Sequence, residues 1–180
     1  MGAGAGLVAP ATGGRCPGGR RSPREQRNLP GMTLDLADLF PRANAWATAQ
    51  SDAALNGGAA LSPAGVELAR SVGVQLPQQV RIVIVDALPV PDDPVLLEAA
   101  TQAGLLRPDA VGLTLGHAII VRRGHEADTR LLRHELRHVA QVEFAGSLTE
   151  FLREYLRQVI AYGYRDAPWE VDARAHERPC

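Results

Sequence analysis

Asp128-Thr-Arg-Leu-Leu-Arg-His-Glu-Leu-Arg-His-Val-Ala-Gln-Val-Glu-Phe-Ala-Gly146 decides how this chain is read. Leu131, Leu132, Leu136, Val139 and Val142 recur at helical spacing and form one apolar band, the mark of an amphipathic helix facing a core. Asp128 stands where an N-cap is wanted and Gly146 where a left-handed stop is wanted. Within that helix His134-Glu135-Leu136-Arg137-His138 reads H-E-x-x-H. Residues four apart share a face and lie about 6 Å apart along the axis, so His134 and His138 can share one zinc ion. Glu135 between them is angled toward an open coordination position, where a water of lowered pKa serves as a nucleophile at neutral pH. The motif therefore predicts a zinc-dependent hydrolase, a peptidase first of all, with Glu135 as its base.

A mononuclear hydrolytic zinc needs a third protein ligand. A Gly three residues and a His six residues beyond the motif would supply one arrangement, but those positions hold Gln141 and Phe144. The downstream donors are Glu143, Glu150, Glu154, Asp166, Glu170, Asp172, His176, Glu177 and Cys180. Glu143 is too near on the same helix to close a tetrahedron easily. Glu150 and Glu154 open the next helix, where carboxylates usually cap or face solvent. Pro168 suits the first position of a further helix, which places Glu170 in its first turn, with the small Ala173 three residues on. A first-turn Glu is also favoured simply by the helix dipole. Glu170 is the preferred third ligand; Asp172, as ligand or supporting acceptor, is second and His176 third.

His134 to Gln141, followed by a helix and then by Tyr162-Gly-Tyr-Arg-Asp-Ala-Pro-Trp-Glu-Val-Asp-Ala173, resembles the small gluzincin metallopeptidases (minigluzincin-like bacterial zincins). Val111 to Val121 also resembles the strand pair that precedes the metal helix in that group, so the resemblance spans about Ser62 to Glu177. It implies a small zincin-like domain, Zn²⁺ held by His134, His138 and Glu170, and Glu135 as the catalytic base. It further implies that strand 118–122 lies beside the cleft and pairs with an extended peptide or protein substrate. Larger gluzincins often carry Asp four residues after the ligand Glu. Here that position is Arg174, so Asp172 or Glu177 would have to support the histidines instead.

One domain is the natural expectation for 180 residues. Residues 1–31 stand apart as a Gly/Pro/Arg-rich extension, with eight Gly and almost no large apolar side chains. Such a stretch cannot bury enough surface to offset ordering entropy and is expected to be disordered, leaving 32–180 as the single folded domain. Five Arg against one Glu give that extension a charge of +4, against −5 for the remainder. A basic tail of this kind can touch nucleic acid or membranes without specificity, but a spacer or an upstream-start artefact is the preferred reading, and no specific nucleic-acid partner is expected. Gly4-Ala-Gly-Leu-Val-Ala9 formally fits G-x-G-x-x-A but follows no strand. Neither a signal peptide nor a twin-arginine signal is convincing, and no apolar run is long enough to span a membrane. The chain has no Lys, which removes Schiff-base and P-loop chemistry. Cys16 and Cys180 sit near the two ends and form no metal or disulfide framework, so a cytoplasmic protein is expected.

Thr33 can cap a short helix, Leu34 to Phe40, ended by Pro41. The Ala-rich stretch 43–60 reads as a weak helix followed by a loop. Ser62-Pro63 starts a helix running to near Gly73; Val80 to Val85 is a β-branched strand; Asp93-Pro94 opens a helix to about Ala103. Strands 111–115 and 118–122 flank Gly116-His117, with His117 structural or on the surface. Phe151, Leu152, Tyr155, Leu156, Val159 and Ile160 mark a core-packing helix from Leu148 to Ala161. Helices, a small sheet, a metal helix, a packing helix and a ligand helix make an α+β domain. Candidates for stabilising a developing oxyanion are Tyr162, Tyr164, Arg165 and His176. The rival class is a zinc-binding or regulatory module without turnover; an intact Glu135 argues against it, because a purely structural site has no use for a base.

Overall fold

The computed structural model describes residues 36–178; the expectations for residues 1–31, for the Thr33 cap and for both cysteines lie outside the described residues. The fold is α+β. Helix α1 (Leu36–Gly57) runs straight through Pro41. That corrects the expectation of a short helix stopped at Phe40. Pro41 is the sixth residue of the helix, just past the four whose N–H groups lack an intrahelical acceptor, so it carries a penalty. A helical proline costs about 3 kcal/mol. Against it stands the buried face of Ala43, Ala47, Ser51 and Ala54, whose small side chains let α1 lie close on the sheet. The Ser51 hydroxyl fixes that approach by donating to the Leu115 carbonyl at 2.9 Å.

The chain then turns at Gly58, where a Cβ would meet the Ala54 carbonyl oxygen at 2.7 Å and the Arg81 Cβ at 2.8 Å. The two-residue strand β1 (Ala59–Ala60) follows, in a stretch whose sequence predicts a loop. Helix α2 (Pro63–Ser71) starts at the Ser62 cap, and strand β2 (Arg81–Val85) comes next. Helix α3 (Pro94–Gln102) is capped by Asp93, which accepts from the amides of Val95 and Leu96. Strands β3 (Gly112–Leu115) and β4 (Ala118–Arg122) form a two-residue hairpin around Gly116-His117, with Gly116 at φ +70°. Helices α4 (Thr129–Ala145), α5 (Leu148–Tyr162) and α6 (Pro168–Ala175) complete the order.

The sheet order is β1-β2-β4-β3, with β4 parallel to β2 and antiparallel to β3. Both faces of the sheet are covered. Ile119 and Val121 of β4 pack with Ala69 of α2 and with Leu136, Val139 and Ala140 of α4. Ala118 and Ile120 point the other way, toward Ala47 and Ala54 of α1. Burial on two faces is why β2 and β4 read as unbroken apolar runs rather than as alternating ones. This topology also corrects the expectation that strand 118–122 receives a peptide. Both hydrogen-bonding edges of β4 are occupied, by β2 and by β3, and the outermost strand on the α4 side is β3. No described helix is long and apolar enough to cross a membrane.

Candidate metal centre

Helix α4 is built as its sequence dictates. The Asp128 carboxylate accepts from the amides of Arg130 and Leu131 at 2.9 and 3.2 Å, and Gly146 ends the helix at φ +89°. Leu136 and Val139 are fully buried against the sheet, which turns the neighbouring stripe, His134 and His138, toward α5 and α6. Helix α6 begins at Pro168 with no side-chain cap of its own. Its first-turn amide at Trp169 is instead satisfied by the Gln158 side chain of α5, at 2.9 Å. Ala173 is fully buried, and α6 packs on α4 with Glu170 only 2% exposed.

His134, His138 and Glu170 converge, with one ligand atom from each lying within 4.8 Å of the others, and this group could hold a metal ion. The two Nε2 atoms are 3.1 Å apart, and Glu170 Oε1 lies 3.3 Å from His138 Nε2 while Oε2 lies 3.6 Å from His134 Nε2. The Nδ1 atoms are engaged elsewhere. His134 Nδ1 meets Glu177 at 3.2 Å and His138 Nδ1 meets the Gln141 side-chain oxygen at 2.8 Å. Acceptors on Nδ1 place the ring proton there and leave each Nε2 lone pair free for a metal. The Gln141 amide in turn donates to Asp172 at 2.7 Å, and Arg137 clasps the same carboxylate from Nε and Nη2. Thus Glu177 supports His134 directly, and Asp172 supports His138 through Gln141.

Of the three contenders for third ligand, only Glu170 joins the histidines. Asp172 is committed to Arg137 and Gln141, and His176 Nδ1 lies 2.8 Å from the Asp172 backbone carbonyl. Arg174, which stands where larger gluzincins carry Asp, contacts Glu170 at 3.3 Å and also donates to the Arg165 carbonyl. Glu143 faces away from the metal group; it accepts from the Gln75 and Leu76 amides and meets His117 Nε2 at 3.0 Å. His117 is thus a structural residue.

Sequence reasoning took Tyr155 only as core. Its hydroxyl donates to Glu170 Oε1 at 2.8 Å, and its ring, with Phe151, lies edge-on to His138 while Trp169 stacks on Phe151. Two strand residues were missed as well. Thr114 of β3 donates to Glu135 Oε2 at 2.6 Å, and Gly112 lies so close to Glu135 that a Cβ there would sit 2.8 Å from its carboxylate carbon. Glycine inside a strand pattern was the available signal, since it often marks close approach of another group. Among the oxyanion candidates, Tyr162 is 58% exposed, and Tyr164, which opens a short 3-10 turn (Tyr164–Asp166), is half-buried beside Glu170. The Arg107 guanidinium lies 5.5 Å over the Tyr164 ring.

The electrostatics bind the group together. Burial opposes charge on Glu170, but hydrogen bonds from His138 and Tyr155 and the histidine charges outweigh it and leave its pKa below the ordinary carboxylate value. Burial likewise opposes an imidazolium at His138, yet the Glu170 hydrogen bond and the charges of Glu135 and Glu170 raise its pKa above the usual one. The two opposite shifts both favour the charged pair, an imidazolium at His138 facing a carboxylate at Glu170. Burial first, and then the Glu170 charge, pushes both Tyr155 and Tyr164 up, so both keep their protons at neutral pH.

Removing an outer partner should loosen the metal. Glu177→Ala is expected to weaken zinc affinity about 10–100-fold while the fold persists, because His134 loses the acceptor that fixes its ring. Competition with a chromophoric chelator measures this, and unchanged affinity would refute the support assigned to Glu177.

No curated protein and no solved structure matches the chain significantly. Residues 92–145 match the family model described as the eCIS core domain, a segment that runs from the α3 cap to the end of α4 and so contains Gly112, Thr114, His134, Glu135 and His138 but stops short of Glu170.

Proposed function

We propose that this protein is a zinc-dependent peptidase in which His134, His138 and Glu170 hold the ion and Glu135 is the catalytic base. The observation that carries the reading is the convergence of two imidazole Nε2 atoms and one carboxylate, with both Nδ1 atoms already engaged. Two histidines and a glutamate form a known catalytic zinc set, which leaves a position for water. The eCIS core domain match covers the segment that carries His134, Glu135 and His138 and is compatible with a zinc-binding module.

Bound zinc would supply Lewis acidity toward a peptide carbonyl and a water acidic enough to attack at neutral pH. Glu135 accepts that water's proton on its carboxylate and passes it to the leaving amine. Tyr164, still protonated and beside Glu170, is the hydroxyl donor to the developing oxyanion. Both tyrosine hydroxyls have Glu170 as a partner; Tyr155 is the more deeply buried of the two and serves to orient Glu170, which leaves the half-buried Tyr164 as the donor. The outer edge of β3 takes an extended peptide by strand addition, giving affinity through main-chain hydrogen bonds with little sequence demand.

The test is elemental mass spectrometry of the purified protein, followed by assay on an internally quenched peptide mixture. Near-equimolar zinc and metal-dependent cleavage are expected. Zinc without cleavage would leave a non-catalytic zinc module, and failure to take up stoichiometric Zn²⁺ would end the metal reading altogether.

A further inference from the structure

Strand β3 does more in this molecule than offer an edge. Its side chains alternate, so Leu113 and Leu115 pack toward α1, while Gly112 and Thr114 face α4. Both of the latter meet one side chain, Glu135, which is only 5% exposed. The Thr114 hydroxyl lies 2.6 Å from Glu135 Oε2 and 3.1 Å from the Glu135 backbone carbonyl. It has a single proton, and the shorter, charge-assisted bond to the carboxylate claims it. A β-branched side chain is stiff at χ1, so this donor is fixed by the strand rather than free to follow its partner. Gly112 completes the seat, because only a residue without Cβ leaves room for the carboxylate there.

We infer that Thr114 and Gly112 are positioning residues that set the Glu135 carboxylate from strand β3, so that the strand presenting its edge to a peptide also aims the base. The inference rests on the proposed peptidase reading. Neither residue touches the metal ligands: Thr114 acts by its hydroxyl, Gly112 by its missing side chain. The atoms that a Cβ at position 112 would press on are Oε1, Cδ and Cγ of Glu135, all in one flexible side chain and none of them backbone, so Gly112→Ala shifts the base instead of breaking the fold. Displacing a reacting group by about 1 Å can cost on the order of 10²-fold in rate.

The experiment uses the full chain as wild type, Thr114→Val, Thr114→Ser and Gly112→Ala. Two readouts are taken: hydrolysis of the quenched peptide mixture by the zinc-loaded protein, and the side-chain ¹³C resonance of Glu135 in glutamate-labelled protein, assigned by its disappearance in Glu135→Gln. Thr114→Val is expected to move that resonance and to lower kcat about 10–100-fold, with KM and zinc content unchanged. Thr114→Ser should restore both, and Gly112→Ala should resemble Thr114→Val. A resonance that stays in place in Thr114→Val, or a kcat that does not fall, overturns the inference. A shared loss of zinc, thermal stability and activity without rescue by Ser also overturns it, since Thr114 would then merely tie β3 to α4. If wild type takes up zinc but cleaves nothing while the resonance still moves, the peptidase reading fails and the contact remains as a tie between strand and helix.

Discussion

Glu135→Gln should abolish peptide hydrolysis while the protein folds and binds zinc as before. The separation is expected because Glu135 is not among the converging ligand atoms, although it adjoins His134 in the chain. Glutamine preserves the shape of the side chain, and its carbonyl can still accept the hydrogen bond that Thr114 gives to Oε2. What the substitution removes is the capacity to take a proton from water. A positioned general base contributes typically about 10²–10⁴-fold, so kcat should fall by at least that range. KM should change little if peptide affinity comes from the β3 edge. Measuring kcat together with zinc per protein decides the matter. Unchanged hydrolysis with full zinc would exclude Glu135 as the base, and loss of zinc along with hydrolysis would mean that the carboxylate supports the metal instead.

The parts of this site that were legible in the sequence are those whose geometry is local. His134, Glu135 and His138 lie within one helical turn of each other, so spacing alone places them together once Leu136 and Val139 identify the buried stripe. Glu170 was reachable because Pro168 marks a helix start and Ala173 a close approach. The supporting contacts were not, because they cross long stretches of chain. Thr114 is 21 residues from Glu135, and Glu177 is 43 from His134. No periodicity connects such pairs; tertiary packing alone brings them together. The same holds for β4. Its apolar run identifies a buried strand, but nothing local says whether the neighbour on its far side is solvent, substrate or, as here, the parallel strand β2. Pro41 misled for the complementary reason: a strong local signal was overruled by the buried alanine face of α1, which is a property of the whole helix.

Glu170→Ala should cost more zinc affinity than any outer substitution, beyond the roughly 10–100-fold expected when a supporting partner is lost. The substitution removes one of the three converging donor groups of the proposed site and the acceptor of the Tyr155 hydroxyl. Alanine leaves that buried hydroxyl facing a gap, a penalty of about 1–3 kcal/mol, and it strips His138 of the carboxylate that raises its pKa. The wild-type protein should melt at higher temperature when zinc is added, because ligand bound only to the native state stabilises it; Glu170→Ala should lose most of that increment. Asp172→Ala supplies the control. Asp172 is held by Arg137 and Gln141, so its removal should loosen His138 through Gln141 and weaken zinc only within the outer-partner range. If Asp172→Ala proved the more damaging of the two, the third ligand would have been misassigned. The wild-type affinity should also fall as pH is lowered. The metal competes with a proton on His138, whose raised pKa means that this proton is already present at a pH where an ordinary histidine has lost it. Affinity should therefore still be rising with pH above the usual histidine value, and a plateau reached below that value would contradict the His138–Glu170 pairing.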